Sequence, residues 1–342
     1  MKTLEIGGHK IEAGARKQIE LPVVDMYTHA PLTMPIEVVR GKKPGPTLFV
    51  SAAIHGDEIN GVEVVRRLLG SPLLNRLKGT LIAVPIVNVQ GFMDCSRYLP
   101  DRRDLNRCFP GSESGSLAAR LANIFCTEIV EKADFGIDLH TAAVHRTNLP
   151  QIRADLEDPQ TLDMANAFGV PILINAPVRD GSLRGYATSN NIPTLLYEAG
   201  EALRFDEVAI RAGVRGITNV MRHLGMLAKT NRKRAFTAEV AKSTSWIRAE
   251  RSGILRPTIA LGASVTKGQE LGNIVDPFGS VDLPIKSRYS GIVVGRAQLP
   301  LVYEGDAIFH IARFDSVADV EQSVDDFHDI VRATKQTEAP VV

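Results

Sequence analysis

Short apolar runs alternate with amphipathic stretches between residues 45 and 225, a pattern typical of an α/β sheet covered by helices. Apolar residues recur at helical spacing in three segments, which contain Val62, Leu117 and Val214. Five apolar runs between and beside these segments predict buried strands, at residues 47–54, 81–87, 135–139, 170–174 and 194–197. The pattern therefore predicts an α/β fold in which helices flank a mixed sheet.

The pattern changes in the C-terminal third of the chain. Helical spacing ends at a basic polar run that opens residues 229–243, which we predict to be a linker. Residues 244–315 contain only short apolar stretches separated by glycines, which is typical of a small all-β domain. The first forty residues alternate as edge strands do, so the larger domain is predicted over residues 1–228. Residues 316–342 are predicted to form a short helix and a tail.

Charge and composition exclude several classes of protein. The chain has 342 residues with 40 basic and 39 acidic side chains, and its net charge of +1 gives no field that attracts nucleic acid. The N-terminal residues lack the apolar core of a signal peptide, and no later run is long enough to span a bilayer. Three scattered cysteines without a C-x-x-C pair predict neither a disulfide framework nor a zinc finger. We expect a cytoplasmic globular protein with no nucleic-acid or membrane partner, and a homo-oligomer is compatible with these features.

Three residues in two places have the spacing of a catalytic metal site. His55 and Glu58 stand three positions apart where a predicted strand gives way to a helix, so both can face one metal ion. Catalytic zinc sites use three protein ligands, and His140 supplies a third at the end of another predicted central strand. An ordinary surface histidine and glutamate at a helix start are the alternative. The remaining central and C-terminal histidines lack a carboxylate at ligand spacing and are interpreted as structural or solvent-facing: His145, His223 and His310.

A loop rich in Arg, Asn and Asp joins two of the predicted elements. Arg107 can grip a carboxylate with two parallel N–H bonds, Asn106 can donate another, and Arg97 can polarise a carbonyl. Long loops of this composition often carry function, although a solvated basic loop has the same composition. The loop is therefore a candidate for binding an anionic substrate.

Glu198 is a second candidate for chemistry, because it directly follows an apolar strand run. Burying an unpaired charge is costly, so a carboxylate at this position needs a reason. Near a metal, it can take a proton from water and pass it to a leaving nitrogen. The alternative is a carboxylate that merely turns the chain at the edge of the sheet.

Taken in chain order, these motifs resemble those of the succinylglutamate desuccinylase/aspartoacylase family, which is itself similar to the zinc carboxypeptidases. The resemblance covers about residues 45–225. It implies a zinc carboxypeptidase-like sheet, one Zn²⁺ per chain, and hydrolysis of the amide bond of a small N-acyl amino acid. The five elements that carry it are His55-x-x-Glu58, Arg97, Asp104-x-Asn106-Arg107, His140 and Glu198.

The resemblance also implies a role for each residue. Zinc and Arg97 would together meet the negative charge of the tetrahedral intermediate. Asp104 would orient His55 from the side away from the metal. The remaining roles are zinc ligands for His55, Glu58 and His140, substrate carboxylate binding for Asn106 and Arg107, and acid/base catalysis for Glu198. Arg184 and Tyr186, which precede the Glu198 strand, are candidates to close the substrate pocket, and a plain loop is the alternative.

Two other functions remain open from the sequence. A zinc carboxypeptidase that trims short peptides needs the same ligands and a bound carboxylate. A non-catalytic metal-binding or carrier protein is suggested by the C-terminal segment, where residues 253–255, 265–272 and 290–293 are similar to a biotinyl/lipoyl-like β hammerhead. The turn at residues 276–280 has no modification lysine, so we infer a structural or access-limiting role for this segment.

Overall fold

A large mixed β-sheet with helices on both faces dominates the computed structural model, which describes residues 3–230 and 236–333. The helices are α1 (Asn60–Leu69), α2 (Val89–Met93), α3 (Leu117–Glu128), α4 (Pro159–Phe168), α5 (Leu183–Ser189), α6 (Glu207–His223) and α7 (Val317–Ala333). The strands are β1 (Leu4–Ile6), β2 (His9–Ile11), β3 (Arg16–Asp25), β4 (Pro31–Arg40), β5 (Lys43–Ala52), β6 (Lys78–Val84), β7 (Phe135–Ala142), β8 (Arg146–Ala154), β9 (Ile172–Asn175), β10 (Thr194–Glu201), β11 (Glu239–Ala241), β12 (Ser243–Arg248), β13 (Gly253–Pro257), β14 (Ser264–Val265), β15 (Glu270–Val275), β16 (Asp282–Lys286), β17 (Gly291–Ala297), β18 (Leu301–Val302) and β19 (Ala307–Arg313).

The main path of the large sheet has the order β12-β19-β17-β8-β10-β7-β5-β6-β4-β3. Its centre, β10-β7-β5-β6, is parallel, whereas β8 and β4 join this centre in antiparallel directions. The sheet is therefore mixed, which confirms the predicted fold class. The parallel centre also brings the carboxyl ends of β5, β7 and β10 to one edge, where α/β proteins place their functional groups.

Two apolar cores cover the two faces of the sheet. Along β5, Leu48 and Val50 face the core that contains α1, α4 and α6, while Phe49 faces the core that contains α3. All three side chains are fully buried, as expected for a strand covered on both faces. On α6, Gly216 lies against the ring of Phe168, and a Cβ there would approach within 2.1 Å of that ring. The lack of a side chain thus sets the close packing of α6 on α4.

The C-terminal strands divide between two sheets. β12, β17 and β19 extend the large sheet, because β17 pairs with β8. β13, β15, β16 and β18 form a separate four-stranded antiparallel sheet, which packs on the extension through a third apolar core. The predicted short helix is α7, whose Phe327 packs into the core beneath α6.

The ends of the predicted segments differ from the observed elements in the following places. Within the predicted linker, residues 239–241 form β11, which pairs with β9, and β12 begins at Ser243. Residues 231–235 of that linker and the predicted tail from residue 334 lie outside the described residues. In the two described ranges, no helix combines the length and the apolar character needed to cross a membrane.

Candidate active site

A cavity of about 570 Å³ lies over the carboxyl edge of the parallel strands. His55 follows β5, His140 lies on β7, and Glu198 lies on β10 in register with His140. All three side chains line the cavity, together with Arg97 and Arg107 from the loop before α3. The fold therefore brings residues from distant parts of the sequence to one opening.

The centre of the site is a buried cluster of two imidazoles and one carboxylate. Glu58 lies between the rings, with Oε1 2.7 Å from His55 Nδ1 and Oε2 2.7 Å from His140 Nδ1. One donor atom from each residue lies within 4.8 Å of the others, and the three residues are 2–5% exposed. Two histidines and one glutamate form a donor set that protein zinc sites use for catalysis. The cluster is thus a candidate metal site.

Each imidazole is also held on the side away from Glu58. Asp104 Oδ1 lies 3.1 Å from His55 Nε2, and Asp138 Oδ2 lies 2.7 Å from His140 Nε2. Such carboxylates fix the ring orientation and tautomer of a metal-ligating histidine. The sequence reasoning missed Asp138, although its position two residues before His140 on a strand places both side chains on one face.

The charges of the cluster favour a cation at its centre. Burial lowers the pKa of His55 and His140, but the surrounding carboxylates outweigh burial and raise both pKa values above the ordinary histidine value. Burial raises the pKa of Glu58, but the two imidazoles outweigh it and hold that pKa well below its usual range. Protons or a metal ion can supply the positive charge, and a bound metal must displace the protons. The residues present therefore fit a divalent metal.

Arg97 joins the cluster to its outer carboxylate. The guanidinium donates from Nη1 to Glu58 Oε1 at 3.3 Å and from Nη2 to Asp104 Oδ2 at 3.0 Å. Burial raises the pKa of Asp104, but His55 and Arg97 outweigh burial and hold that pKa well below its usual range. Asp104 is therefore a carboxylate anion that holds both an imidazole of the candidate metal site and the cavity arginine.

Asn106 and Arg107 form the next part of the wall. The backbone N–H of Asn106 donates to Asp104 Oδ1 at 2.9 Å, while its side-chain Oδ1 accepts from the N–H of Leu183 at 2.9 Å. The Oδ1 contact leaves the Nδ2 donors of Asn106 for a ligand. Arg107 donates to the Asn106 carbonyl and exposes the rest of its guanidinium at the cavity wall. Both residues line the cavity, and their binding of a substrate carboxylate stays a prediction.

Glu198 is held by three residues of β8. Asn148 Nδ2 donates to Glu198 Oε2 at 2.9 Å, and Gln151 Nε2 donates to the same oxygen at 3.5 Å. Arg153 Nε lies 3.8 Å from Oε1 of Glu198. The sequence reasoning missed these three residues, because nothing in the sequence of β8 indicates that it pairs with β10.

The two residues predicted to close the pocket have different positions. Arg184 is buried in the cavity wall and donates to the carbonyl oxygens of Ala176 at 3.0 Å and Pro177 at 2.9 Å. Tyr186 does not line the cavity, and its hydroxyl donates to Glu131 Oε1 at 2.7 Å. Residues two apart on a helix such as α5 point in different directions, so a pocket-closing role for Tyr186 stays a prediction that none of these contacts supports.

An aromatic and cationic stack forms the wall of the cavity where β8 meets the C-terminal strands. The rings of Trp246 on β12 and His310 on β19 stack with centroids 4.6 Å apart and an angle of 4° between planes. The guanidinium carbon of Arg146 lies 5.3 Å from the Trp246 ring centroid. Burial and the nearby Arg153 lower the pKa of His310 to about 4, so this ring is neutral at pH 7. The sequence reasoning gave His310 no part in the site, and the structure places it in the cavity wall.

Two known proteins are similar to this chain over most of its length. A curated relative, the N-alpha-acetyl-L-2,4-diaminobutyric acid deacetylase of Halomonas elongata, is 27% identical over 311 residues, covering 86% of this chain and 90% of the relative. The crystal structure of a succinylglutamate desuccinylase/aspartoacylase from Rhodobacter sphaeroides is 28% identical with a TM-score of 0.78, covering 87% of this chain and 96% of that one.

A third comparison supports the fold. The product-bound structure of the ectoine utilization protein EutE (DoeB) from Ruegeria pomeroyi has a TM-score of 0.79 at 24% identity, covering 88% of this chain and 96% of that one.

Residues 44–224 match the succinylglutamate desuccinylase/aspartoacylase catalytic domain. Since this match spans more than half of the chain, the protein belongs to the succinylglutamate desuccinylase/aspartoacylase family, which confirms the resemblance found in its motifs.

Proposed function

We propose that this protein is a zinc-dependent hydrolase that cleaves the amide bond of a small N-acyl amino acid. The observation that carries the proposal is the buried His55–Glu58–His140 cluster, which shares one cavity with Glu198 and with the arginines of the loop before α3. A cluster of this kind can hold a metal while Glu198 remains free to move protons. The deacylase names of the relatives agree with this chemistry.

The metal would be held by Nδ1 of each imidazole and by the Glu58 carboxylate. Zinc bound in such a set supplies a Lewis acid, which lowers the pKa of a water molecule and polarises an amide carbonyl. The protein's own contribution is to keep both rings aimed at Glu58 through Asp104 and Asp138. Arg97 contacts Glu58 directly, so its guanidinium is close enough to stabilise negative charge that develops on the carbonyl oxygen.

The remaining residues bind the substrate and move protons. Asn106 Nδ2 and the Arg107 guanidinium bind the carboxylate of the amino acid, which orients the amide toward Glu198. Glu198 accepts a proton from the attacking water and returns one to the leaving nitrogen as the C–N bond breaks. The products are a carboxylic acid and a free amine, which together contain all the atoms of the amide and of one water molecule.

The charged side chains around the cavity indicate which charges its substrate can carry. Among the described residues that line it, the only carboxylates are Glu58 and Glu198, and both already have roles in the proposed chemistry. The cationic side chains that line it are far more numerous: Arg97, Arg107, Arg146, Arg153, Arg179 and Arg184. We therefore propose that the substrate side chain and acyl group are neutral or anionic, unlike the amine-bearing substrate in the name of the Halomonas relative.

A substrate panel with metal analysis tests this function. Purified enzyme is assayed with N-acetyl and N-succinyl derivatives of aspartate, glutamate and leucine, with N-acetyl-2,4-diaminobutyrate, and with short peptides. We expect turnover of N-acyl amino acids, slower turnover of the diaminobutyrate derivative, and one zinc per chain. Turnover of peptides alone would overturn the deacylase proposal. Less than about half an equivalent of zinc, with no activity restored by added metal, would overturn the metal proposal.

A further inference from the structure

A row of paired residues connects the C-terminal strands to Glu198. Trp246 on β12 pairs with His310 on β19, His310 pairs with Gly295 on β17, and Gly295 pairs with Asn148 on β8. Residues paired across neighbouring strands place their side chains on the same face of a sheet. In this row, that face forms part of the cavity wall, which Trp246, His310 and Asn148 all line.

Asn148 is the residue of this row that contacts Glu198. Its Nδ2 lies 2.9 Å from Glu198 Oε2, whereas Gln151 Nε2 is 3.5 Å from the same oxygen. The Arg153 contact, at 3.8 Å, is an ion pair beyond hydrogen-bond distance. Among the described residues, Asn148 therefore makes the best hydrogen bond to this carboxylate and does most to fix its orientation.

Gly295 leaves the space that Asn148 occupies. A Cβ added at Gly295 would lie 2.8 Å from Asn148 Oδ1 and 3.2 Å from the Cβ of His310. The backbone of Gly295 is not in the left-handed region, so alanine meets no conformational obstacle there. The nearest obstacle is the Asn148 amide oxygen, so this side chain would have to rotate or shift. Rotation of this amide would carry Nδ2 away from Glu198.

We propose that Gly295 and Asn148 are positioning residues that hold Glu198 for proton transfer, and that the C-terminal strands thereby take part in catalysis. This inference rests on the proposed proton-transfer role of Glu198. Asn148 acts on Glu198 by its hydrogen bond, and Gly295 acts only through Asn148. The C-terminal region thus does more than limit access to the cavity.

A double-mutant cycle tests whether the two residues act in series. Gly295→Ala and Asn148→Ala are each expected to lower kcat about tenfold, the effect of losing one hydrogen bond to a charged group. KM is expected to change less than about twofold, and zinc content is expected to stay the same. Because Gly295 acts through Asn148, the double variant should be no slower than Asn148→Ala.

A matched control separates positioning from general damage to the sheets. Gly253 lies on β13 in the separate sheet, and a Cβ there would lie 2.6 Å from Ile274 Cγ2 and 2.8 Å from the carbonyl oxygen of Val275. Gly253→Ala is crowded at least as severely, because one of its contacts is a backbone oxygen, but we expect it to lower the melting temperature without changing kcat. Asn148→Asp preserves side-chain volume and places a second carboxylate beside Glu198. It gives a further test if Gly295→Ala fails to fold, with kcat expected to fall at least tenfold.

Three results would overturn the inference. They are a double variant whose losses multiply, a Gly295→Ala enzyme that loses zinc or raises KM while keeping kcat, and full activity in Asn148→Asp. Glu198→Gln is measured in parallel. If Glu198→Gln itself retained normal turnover, the proposed function of Glu198 would fail. If Glu198→Gln were inactive and the Asn148 variants normal, only the positioning inference would fail.

Discussion

The two sides of the cavity are built by different means. The metal side, His55, Glu58 and His140, is held by contacts between imidazoles and carboxylates, and its residues are buried at the ends of parallel strands. The other side is formed by Arg146 and Asn148 on β8 together with Trp246 and His310 on the C-terminal strands, and we call it the C-terminal side. It is held by ring stacking, by a cation over a ring and by an amide hydrogen bond.

This difference indicates that the two sides of the cavity have different functions. A buried cluster of imidazoles and a carboxylate has the ligands that a metal ion needs. The stacked rings, the Asn148 amide and the Arg146 cation include no carboxylate, so this side is suited to shaping the cavity and orienting groups within it. We therefore expect changes on the metal side to alter metal content, and changes on the C-terminal side to alter turnover or stability with the metal still bound.

The largest effect is expected when a ligand of the metal side is removed. His140→Ala should lose most bound zinc and lower kcat/KM by more than about a thousandfold, because two ligands hold the metal poorly. Zinc content by mass spectrometry and initial rates measure this. His145→Ala is the matched control, since His145 is an exposed residue five positions further along. A variant at His140 that kept both zinc and turnover would show that the metal lies elsewhere.

Glu198 lies between the two sides and should separate metal binding from turnover. Glu198→Gln should keep zinc within about 20% of the normal content and lower kcat about a hundredfold or more, because an amide cannot accept the proton. Zinc analysis and steady-state kinetics on one preparation measure the zinc content and kcat. Near-normal rates would assign proton transfer to another group.

A smaller effect is expected at Asp138, which contacts His140 on the side away from Glu58. Asp138→Asn should weaken zinc affinity about 10- to 100-fold, because His140 Nε2 would lose its charged partner. Competition with a chelating dye measures the affinity. Asp134→Asn makes the same change near the opposite end of β7, where Asp134 accepts from the backbone N–H of Thr47, and it should leave zinc affinity unchanged. Equal affinity in both variants would contradict the assigned role of Asp138.

The smallest effect concerns the C-terminal side and depends on pH. The pKa of His310 is about 4 in the folded protein and about 6.5 when unfolded, so only the unfolded chain takes up a proton between these values. The free energy of unfolding should therefore fall as pH drops from 6.5 to 4, by about 2 kcal/mol from this group at pH 5. His310→Gln should remove that share of the pH dependence.

Urea unfolding at pH 7 and pH 5 measures this share in the normal protein and the variant. Comparing them cancels the contributions of other titrating groups. His223→Gln, at an exposed position at the end of α6, is the control and should keep the normal pH dependence. If His310→Gln retained the full pH dependence, the ring would not be neutral in the folded protein.

The metal side was largely predictable from the sequence. Apolar runs gave the parallel strands, and the spacing of His55 and Glu58 at the end of one of them indicated a shared metal. Parallel strands end at one edge of a sheet, so His140 could be placed near them from its position alone. Asp138 could have been predicted in the same way, because alternate residues of a strand share a face.

The C-terminal side could not be predicted, because it depends on strand pairing over long distances in the sequence. Alternation of apolar and polar residues indicates a strand but does not identify its partner. The pairing of β17 with β8 brings Gly295 to Asn148, and the pairing of β12 with β19 brings Trp246 to His310. Neither pair is close in sequence, and no local motif marks them.

The join between β17 and β8 has a consequence for attempts to shorten the protein. Without β17 and β11, residues 146–148 of β8 and the outer side of β9 would form an open sheet edge, which is a template for aggregation. A catalytic fragment ending near residue 228 is therefore expected to be poorly soluble, even though it contains every predicted metal ligand. By covering this edge, the C-terminal strands are expected to prevent the sheet from pairing with other chains.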